Sequence, residues 1–197
     1  MLSKQYGLVN HARFNQRFYF WRGHGYTMAD INYILGLIMQ TVELTLYEFH
    51  ELSDTAKNKA LETYRNNIDF AWGDESRDSI YTFCDFFSVK LLDYRVGAYE
   101  PFHFRTDSSN ENFRGLKLKQ FNPDYMPTGY CLDCDLWMTF YDEFKRTGDA
   151  KEAFNDALYS GFKAWRDDME HQLSDEYISD FFDANDFKFM SNGAFWG

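Results

Sequence analysis

Between residues 127 and 173 the apolar positions recur with a helical period. Leu132, Leu136, Phe140 and Phe144 fall every four residues, with Trp137 and Tyr141 beside them, and that spacing makes a stripe down one helix face. Thr147-Gly148 ends this helix, after Lys145 and Arg146, cations suited to the negative end of the helix dipole. Asp149 opens a second helix as its cap, and Glu152 three places on completes a D-x-x-E form of the capping box. Phe154, Leu158, Phe162 and Trp165, then Met169 and Leu173, carry its apolar face. A short turn between two such helices predicts an antiparallel helix hairpin over 131–173 as a main wall of the core.

The remaining elements are shorter. In residues 41–49, Val42, Leu44 and Leu46 alternate with Glu43, Thr45 and Tyr47, the period-two pattern of a half-buried strand. Ser53 caps a helix whose inner face is Ala56, Ala60, Leu61 and Tyr64. Asp74 or Glu75 begins another, running to about Phe87, with Ile80, Cys84 and Phe87 roughly in line and Phe83 beside them. Residues 88–94, 99–105 and 113–121 read as three strands, and Pro101 pushes the second toward a sheet edge. Ser174 caps a short acidic helix, and Asn192-Gly193 between short apolar runs signals a two-residue hairpin turn. Strands and helices in separate runs predict an α+β fold, a mainly antiparallel sheet of three to five strands packed by four or five helices.

Residues 1–38 look different. They mix Arg, His, Asn and aromatics without clean periodicity, and only from Thr27 does a capped helix read through, weakened by Gly36. They are expected to form an N-terminal arm or extension, with Met39 a candidate native start and 39–197 a single α+β domain.

Composition changes the picture in three ways. Aromatics reach 20%, so a mean hydropathy of -0.56 is compatible with a core built from rings. No run approaches the roughly 18 apolar residues that cross a bilayer, and no secretory leader is read. Three cysteines make no staple framework, which points to a reducing cytoplasm. Net charge is -11 and uneven: residues 1–38 hold Lys4, Arg13, Arg17 and Arg22 against Asp30, so the rest carries -14. Phosphates would be repelled by such a surface, so direct nucleic-acid binding by 39–197 is not expected.

Cys131-Leu132-Asp133-Cys134 can in principle hold zinc or run disulfide exchange. A zinc site would need two more ligands, for which Cys84 and His103 are the weak candidates; a redox pair would want a strand before it, which Pro127-Thr128-Gly129-Tyr130 does not supply. The expected reading is core or turn cysteines, with no metal or other cofactor. Asp133, Asp135, Asp142 and Glu143 form an acidic group; Asp135 and Asp142, seven apart, lie too far along a helix to share one ion, so a solvated acidic face is expected, available for binding. Arg105, Arg114, Lys117 and Lys119 interleave with Phe102, Phe104, Phe113 and Phe121, a pattern that stacks and neutralises single-stranded nucleic acid or, more plainly, protects an edge strand. No P-loop, dinucleotide fingerprint, nucleophile elbow or helical histidine pair is present.

From Thr41 onward the chain resembles a family of small bacteriophage- and prophage-encoded proteins, some labelled "antitoxin of toxin-antitoxin stability system". The resemblance rests on LTLYEFHELSDTAKNKALETYR (44–65), WGDESRDSIYTFCDFFSVKLLDYRVGAYEPFHFRTD (72–107), FRGLKLKQF (113–121) and PTGYCLDCDLWMTFYDEFKRTGDAKEAF (127–154). It implies phage origin and carries no catalytic residues. Together with the charge of -14 it leads to the expectation of a non-enzymatic accessory protein in the bacterial cytoplasm. Such a protein would bind a host or phage protein with a basic, nucleic-acid-binding surface, as an anti-defence mimic or an antitoxin. The alternatives are a metal- or thiol-dependent module on Cys131 and Cys134 and a nucleic-acid-binding accessory protein.

Overall fold

The structure is a computed structural model, and residues 44–196 are described. In chain order it holds α1 (Asp54–Arg65), α2 (Gly73–Phe86), β1 (Leu91–Arg95), β2 (His103–Thr106), α3 (Leu132–Thr147), α4 (Ala150–Gln172), α5 (Asp175–Ala184), β3 (Lys188–Phe189) and β4 (Phe195–Trp196). The fold is α+β, with five helices and two antiparallel sheets of two strands each among the described residues. The single sheet of three to five strands expected from alternation is therefore corrected to two separate ribbons. The chain sorts into two compact units, Leu61–Phe182 and the two terminal segments. The arm and start expected at 1–39 lie outside the described residues.

The Leu61–Phe182 unit is built on the α3–α4 hairpin. Gly148 adopts the left-handed conformation at φ 73° and ends α3, and Asp149 caps α4, its Oδ1 accepting from the amides of Lys151 (2.9 Å) and Glu152 (3.1 Å). Gly161 of α4 faces Leu136 of α3 without room for a side chain: a Cβ at 161 would stand 2.6 Å from Leu136 Cδ2. Around this seam half of the buried core residues are Phe or Trp, packed among Ile80, Val89, Leu132, Leu136, Leu158 and small alanines. Phe83 of α2 stacks on Phe154 with centroids 5.4 Å apart, and Phe87 touches Phe113, Phe121, Trp137, Phe140 and Phe154. Phe83, Phe140, Phe154 and Phe162 are completely buried. Each contributes about 1.5–3 kcal/mol of transfer free energy, with edge and offset-stacked contacts adding to it.

β1 and β2 pair antiparallel with a bulge between Leu91 and Asp93. This ribbon lies on α4 through Tyr94, Phe102 and Phe104, whose rings meet Phe162 at 5.6, 6.1 and 5.1 Å. Residues 113–121 are not the strand their Leu/Lys alternation predicts. Gly115 turns the backbone at φ 76°, Leu118–Gln120 forms a 3-10 turn, and Phe113 and Phe121 at its ends are drawn into the aromatic core. Core anchoring of the two end rings outweighs local alternation, because no neighbouring strand offers a ladder.

The other unit, described over 44–60 and 183–196, pairs β3 with β4 and adds one bridge, Tyr47 to Phe189. The strand expected over 41–49 is thus a single bridge followed by a 3-10 turn, Phe49–Glu51, while residues 41–43 lie outside the described residues. Ser53 Oγ accepts from the Ala56 amide at 3.4 Å, as its capping role predicts. The β3–β4 connection is one residue longer than the Asn-Gly signal implies. Met190 and Ala194 close it, and Gly193 occupies the left-handed position, at φ 79°. Gly193 also lies flat against α1: a Cβ there would stand 2.1 Å from the Ala56 carbonyl oxygen.

Gly193→Ala therefore combines left-handed backbone strain of about 1–2 kcal/mol with a backbone clash that no rotamer relieves. A urea denaturation midpoint well below wild type is expected, and an unchanged midpoint would refute the close packing.

Candidate functional site

The acidic group predicted on α3 separates in the structure. Asp135 and Asp142 are exposed; partial burial raises the Asp135 carboxyl above its ordinary range, opposed by its own backbone hydrogen bond and by Lys163 across the hairpin. Glu143 is paired with Arg146 one turn on. Asp133 does not belong to this face at all. It is completely buried, and its Oδ2 accepts from Thr128 N (2.9 Å), Thr128 Oγ1 (2.9 Å) and Gly129 N (3.1 Å). Thr128 Oγ1 in turn meets the Oγ of fully buried Ser79 at 2.9 Å. Its other oxygen, Oδ1, and the Nε1 of Trp137 one helical turn along are buried without a partner. The reason is spacing: Asp133 and Trp137 sit one residue round from the Leu132–Leu136 stripe and still face inward.

The basic, aromatic-interleaved region also divides. Arg105, Arg114, Lys117 and Lys119 are all exposed, with Arg114 paired to Glu111. The four aromatics turn inward, Phe102 and Phe104 onto Phe162, and Phe113 and Phe121 into the core. Cations without accompanying rings present no stacking platform for bases, so the nucleic-acid reading loses its aromatic half.

A second aromatic surface, which periodicity did not single out, lies exposed. Phe86, Tyr125, Met126 and Met138 are 42–51% exposed, and Phe86 and Tyr125 rest on the buried Trp137 ring at 4.8 and 5.0 Å. Met126 Sδ lies 3.8 Å from Cys134 Sγ. Exposed carboxylates adjoin these residues in the chain: Asp85 before Phe86, Asp124 before Tyr125, and Asp135 and Asp142 three and four residues from Met138 along α3. Phe86 and Met138 stand off the Ile80–Cys84–Phe87 and Leu132–Leu136–Phe140 stripes, which was the signal available in the sequence.

The cysteines fare differently from one another. Cys84 is buried, and burial pushes its thiol up to about 12, helped by Asp85 and Asp107. Cys131 is exposed at the N-cap of α3, and Cys134 is half-buried one turn on. His103 sits on β2, 3.7 Å from Asp93. Among the described residues no group of three or more His, Cys, Asp or Glu converges as a metal would require, so Cys84, Cys131, Cys134 and His103 form no joint site. Next to Cys131, Tyr130 stacks on the exposed Trp72 (6.4 Å). Burial first, then the nearby Cys131 and Asp168, holds the Tyr130 phenol up at about 12, against the influence of the Ser76 hydroxyl, which lowers it. Gln172 closes this corner, bonding both backbone groups of Ala71 and the Asp168 carboxylate.

An open groove of about 450 Å³ lies by the α3–α4 turn, between Phe113, Phe144 and Lys151, but Asp149 already occupies the α4 amides that would receive an anion there. No helix among the described residues is long and apolar enough to cross a membrane. No family model, curated protein or solved structure matches the chain.

Asp133→Ala removes from the turn before α3 the one oxygen that accepts three hydrogen bonds there. A loss of about 2–4 kcal/mol in denaturant unfolding is expected, and a loss below about 0.5 kcal/mol would show the carboxylate to be dispensable. The raised Tyr130 value has a definite sign: unfolded phenols ionise near 10 and the folded one near 12, so stability present below pH 10 is lost as pH rises toward 12. Tyr130→Phe should flatten that alkaline decline in pH-dependent unfolding; an equally steep decline would assign it to other groups.

Proposed function

We propose that this chain is a phage or prophage accessory protein, acting in the cytoplasm of a bacterial host, that works by binding a basic partner protein. One observation carries the reading. Exposed Phe86 and Tyr125 meet at 6.2 Å over Trp137, with exposed Met126 and Met138 next to Tyr125 and Trp137 in the chain and carboxylates beside them. Half-exposed aromatics seated on a rigid buried ring are the kind of anchor that supplies most of the affinity at protein interfaces, and thioether side chains adapt to a partner's contour. Exposed carboxylates at Asp85, Asp124, Asp135 and Asp142 favour a cationic partner and steer its approach. A charge of -14 outside residues 1–38 and the resemblance to phage-encoded proteins support the same reading, in which the acidic surface mimics nucleic acid toward a defence factor or masks a toxin.

The test is affinity capture from host lysate at low and high salt, with wild type and a Phe86→Ser/Met138→Ser variant side by side, quantified by mass spectrometry. A basic protein held by wild type at low salt, shed at high salt and lost to the variant is the expected result. Binding that ignores both salt and the two substitutions, or enrichment of no basic protein, overturns the proposal.

A further inference from the structure

The Cys131–Cys134 pair has no role in the proposed binding surface, which Cys134 meets at Met126. Cys131 is the N-cap of α3 and holds helical backbone angles (φ -59°, ψ -28°), and the Cys134 amide donates to the Cys131 carbonyl at 3.0 Å. The two residues are thus one closed helical turn apart. That turn sets their Cα atoms about 5 Å from each other on one helix face, inside the span of about 4.4–6.8 Å that a disulfide bridges without moving backbone. Their accessibility differs in a useful direction. Cys131 is exposed, whereas Cys134 is half-buried with its sulfur against Met126 Sδ at 3.8 Å. An external reagent meets Cys131 first, and Cys134 waits one turn behind it.

We propose that Cys131 and Cys134 form a reversible dithiol–disulfide pair, with Cys131 the attacking thiol, Cys134 the resolving thiol, and a low-molecular-weight or protein disulfide as the oxidant. In the first step Cys131 gives up its proton and its thiolate attacks one sulfur of R–S–S–R. That S–S bond breaks, one R–S⁻ leaves and takes up a proton, and Cys131–S–S–R remains. Cys134 then loses its proton and attacks the Cys131 sulfur, expelling the second R–S⁻. Two protein thiols are oxidised and one external disulfide is reduced to two thiols; excess external thiol reverses the sequence.

The surroundings are fitted to this chemistry. Tyr130 precedes Cys131 in the chain and its phenol, held up at about 12, stays protonated through the neutral range, a donor beside the attacking thiol. Trp72, 56% exposed and stacked on Tyr130, offers a flat apolar wall against which an incoming disulfide can rest. Asp133, pinned between the two cysteines in sequence, holds the Thr128-Gly129 turn and so fixes where α3 begins. The remaining cysteine, Cys84, is buried with its thiol high, and does not compete as a nucleophile.

The experiment uses the full chain, reduced and then exposed to oxidised glutathione under native conditions, with circular dichroism to verify folding and peptide mapping by mass spectrometry to locate each bond. Wild type is expected to lose two hydrogens, to carry a Cys131–Cys134 disulfide and to retain no adduct, and reduced glutathione should restore both thiols. Cys134→Ser is expected to stop at one glutathione on Cys131. Cys131→Ser is expected to form its adduct about tenfold or more slowly, because the exposed attacking thiol is gone. Three free thiols in oxidised wild type, an adduct persisting on Cys131 without ring closure, or equal adduct rates in the two single variants would each overturn the proposal. Binding-surface variants at Phe86 and Met138 leave this outcome unchanged, so failure here is separable from failure of the partner-binding reading.

Discussion

The seam between α3 and α4 is the constraint on which the rest of the Leu61–Phe182 unit depends. Gly161 has no side chain, so Leu136 can lie directly against the α4 backbone with Ile80 of α2 alongside. A hairpin closed that tightly presents two rows of rings on one side, Trp137 and Phe140 from α3, Phe154 and Phe162 from α4. Everything else in this unit is arranged to cover them. α2 brings Phe83 and Phe87, the β1–β2 ribbon brings Tyr94, Phe102 and Phe104, and the loop that follows is reeled in by Phe113 and Phe121. Rings are rigid and offer many contacts per side chain, so a chain modest in Val, Ile and Leu still fills its interior.

The start of α3 depends on a different force. A carboxylate removed from water is stable only when hydrogen bonds replace its solvation, and Asp133 obtains three of them from Thr128 and Gly129. This local solution places Tyr130 and Cys131 at the helix end, and it places the Tyr125–Met126 segment over Trp137. The thiol pair and the exposed aromatic cluster thus share one foundation, and Cys134 with Met126 links the two. By contrast, the surface ion pairs of this unit, such as Arg114–Glu111 and Arg95–Glu100, join exposed groups and add little, about 0–1 kcal/mol each.

What the amino-acid order determined by itself is the set of features decided within a few residues: the helix stripes, the caps at Ser53, Asp149 and Ser174, the Gly148 terminator and the small ribbon around Gly193. Each depends on a side chain meeting backbone two or three positions away, so it is readable in place. Features whose cause is distant were left to the tertiary structure. Residues 113–121 alternate like a strand, but a strand needs a neighbour to complete its hydrogen bonds, and the core took Phe113 and Phe121 instead. Asp133 reads as one more surface acid until the turn at Thr128 closes over it, and Phe86 stands off the Ile80–Cys84–Phe87 stripe, but only packing brings it beside Tyr125 on the Trp137 ring. Side-chain type sets what a residue can do, but which side of an element meets the core is a property of the packed whole, and that choice alone separated the buried acid from the exposed ring.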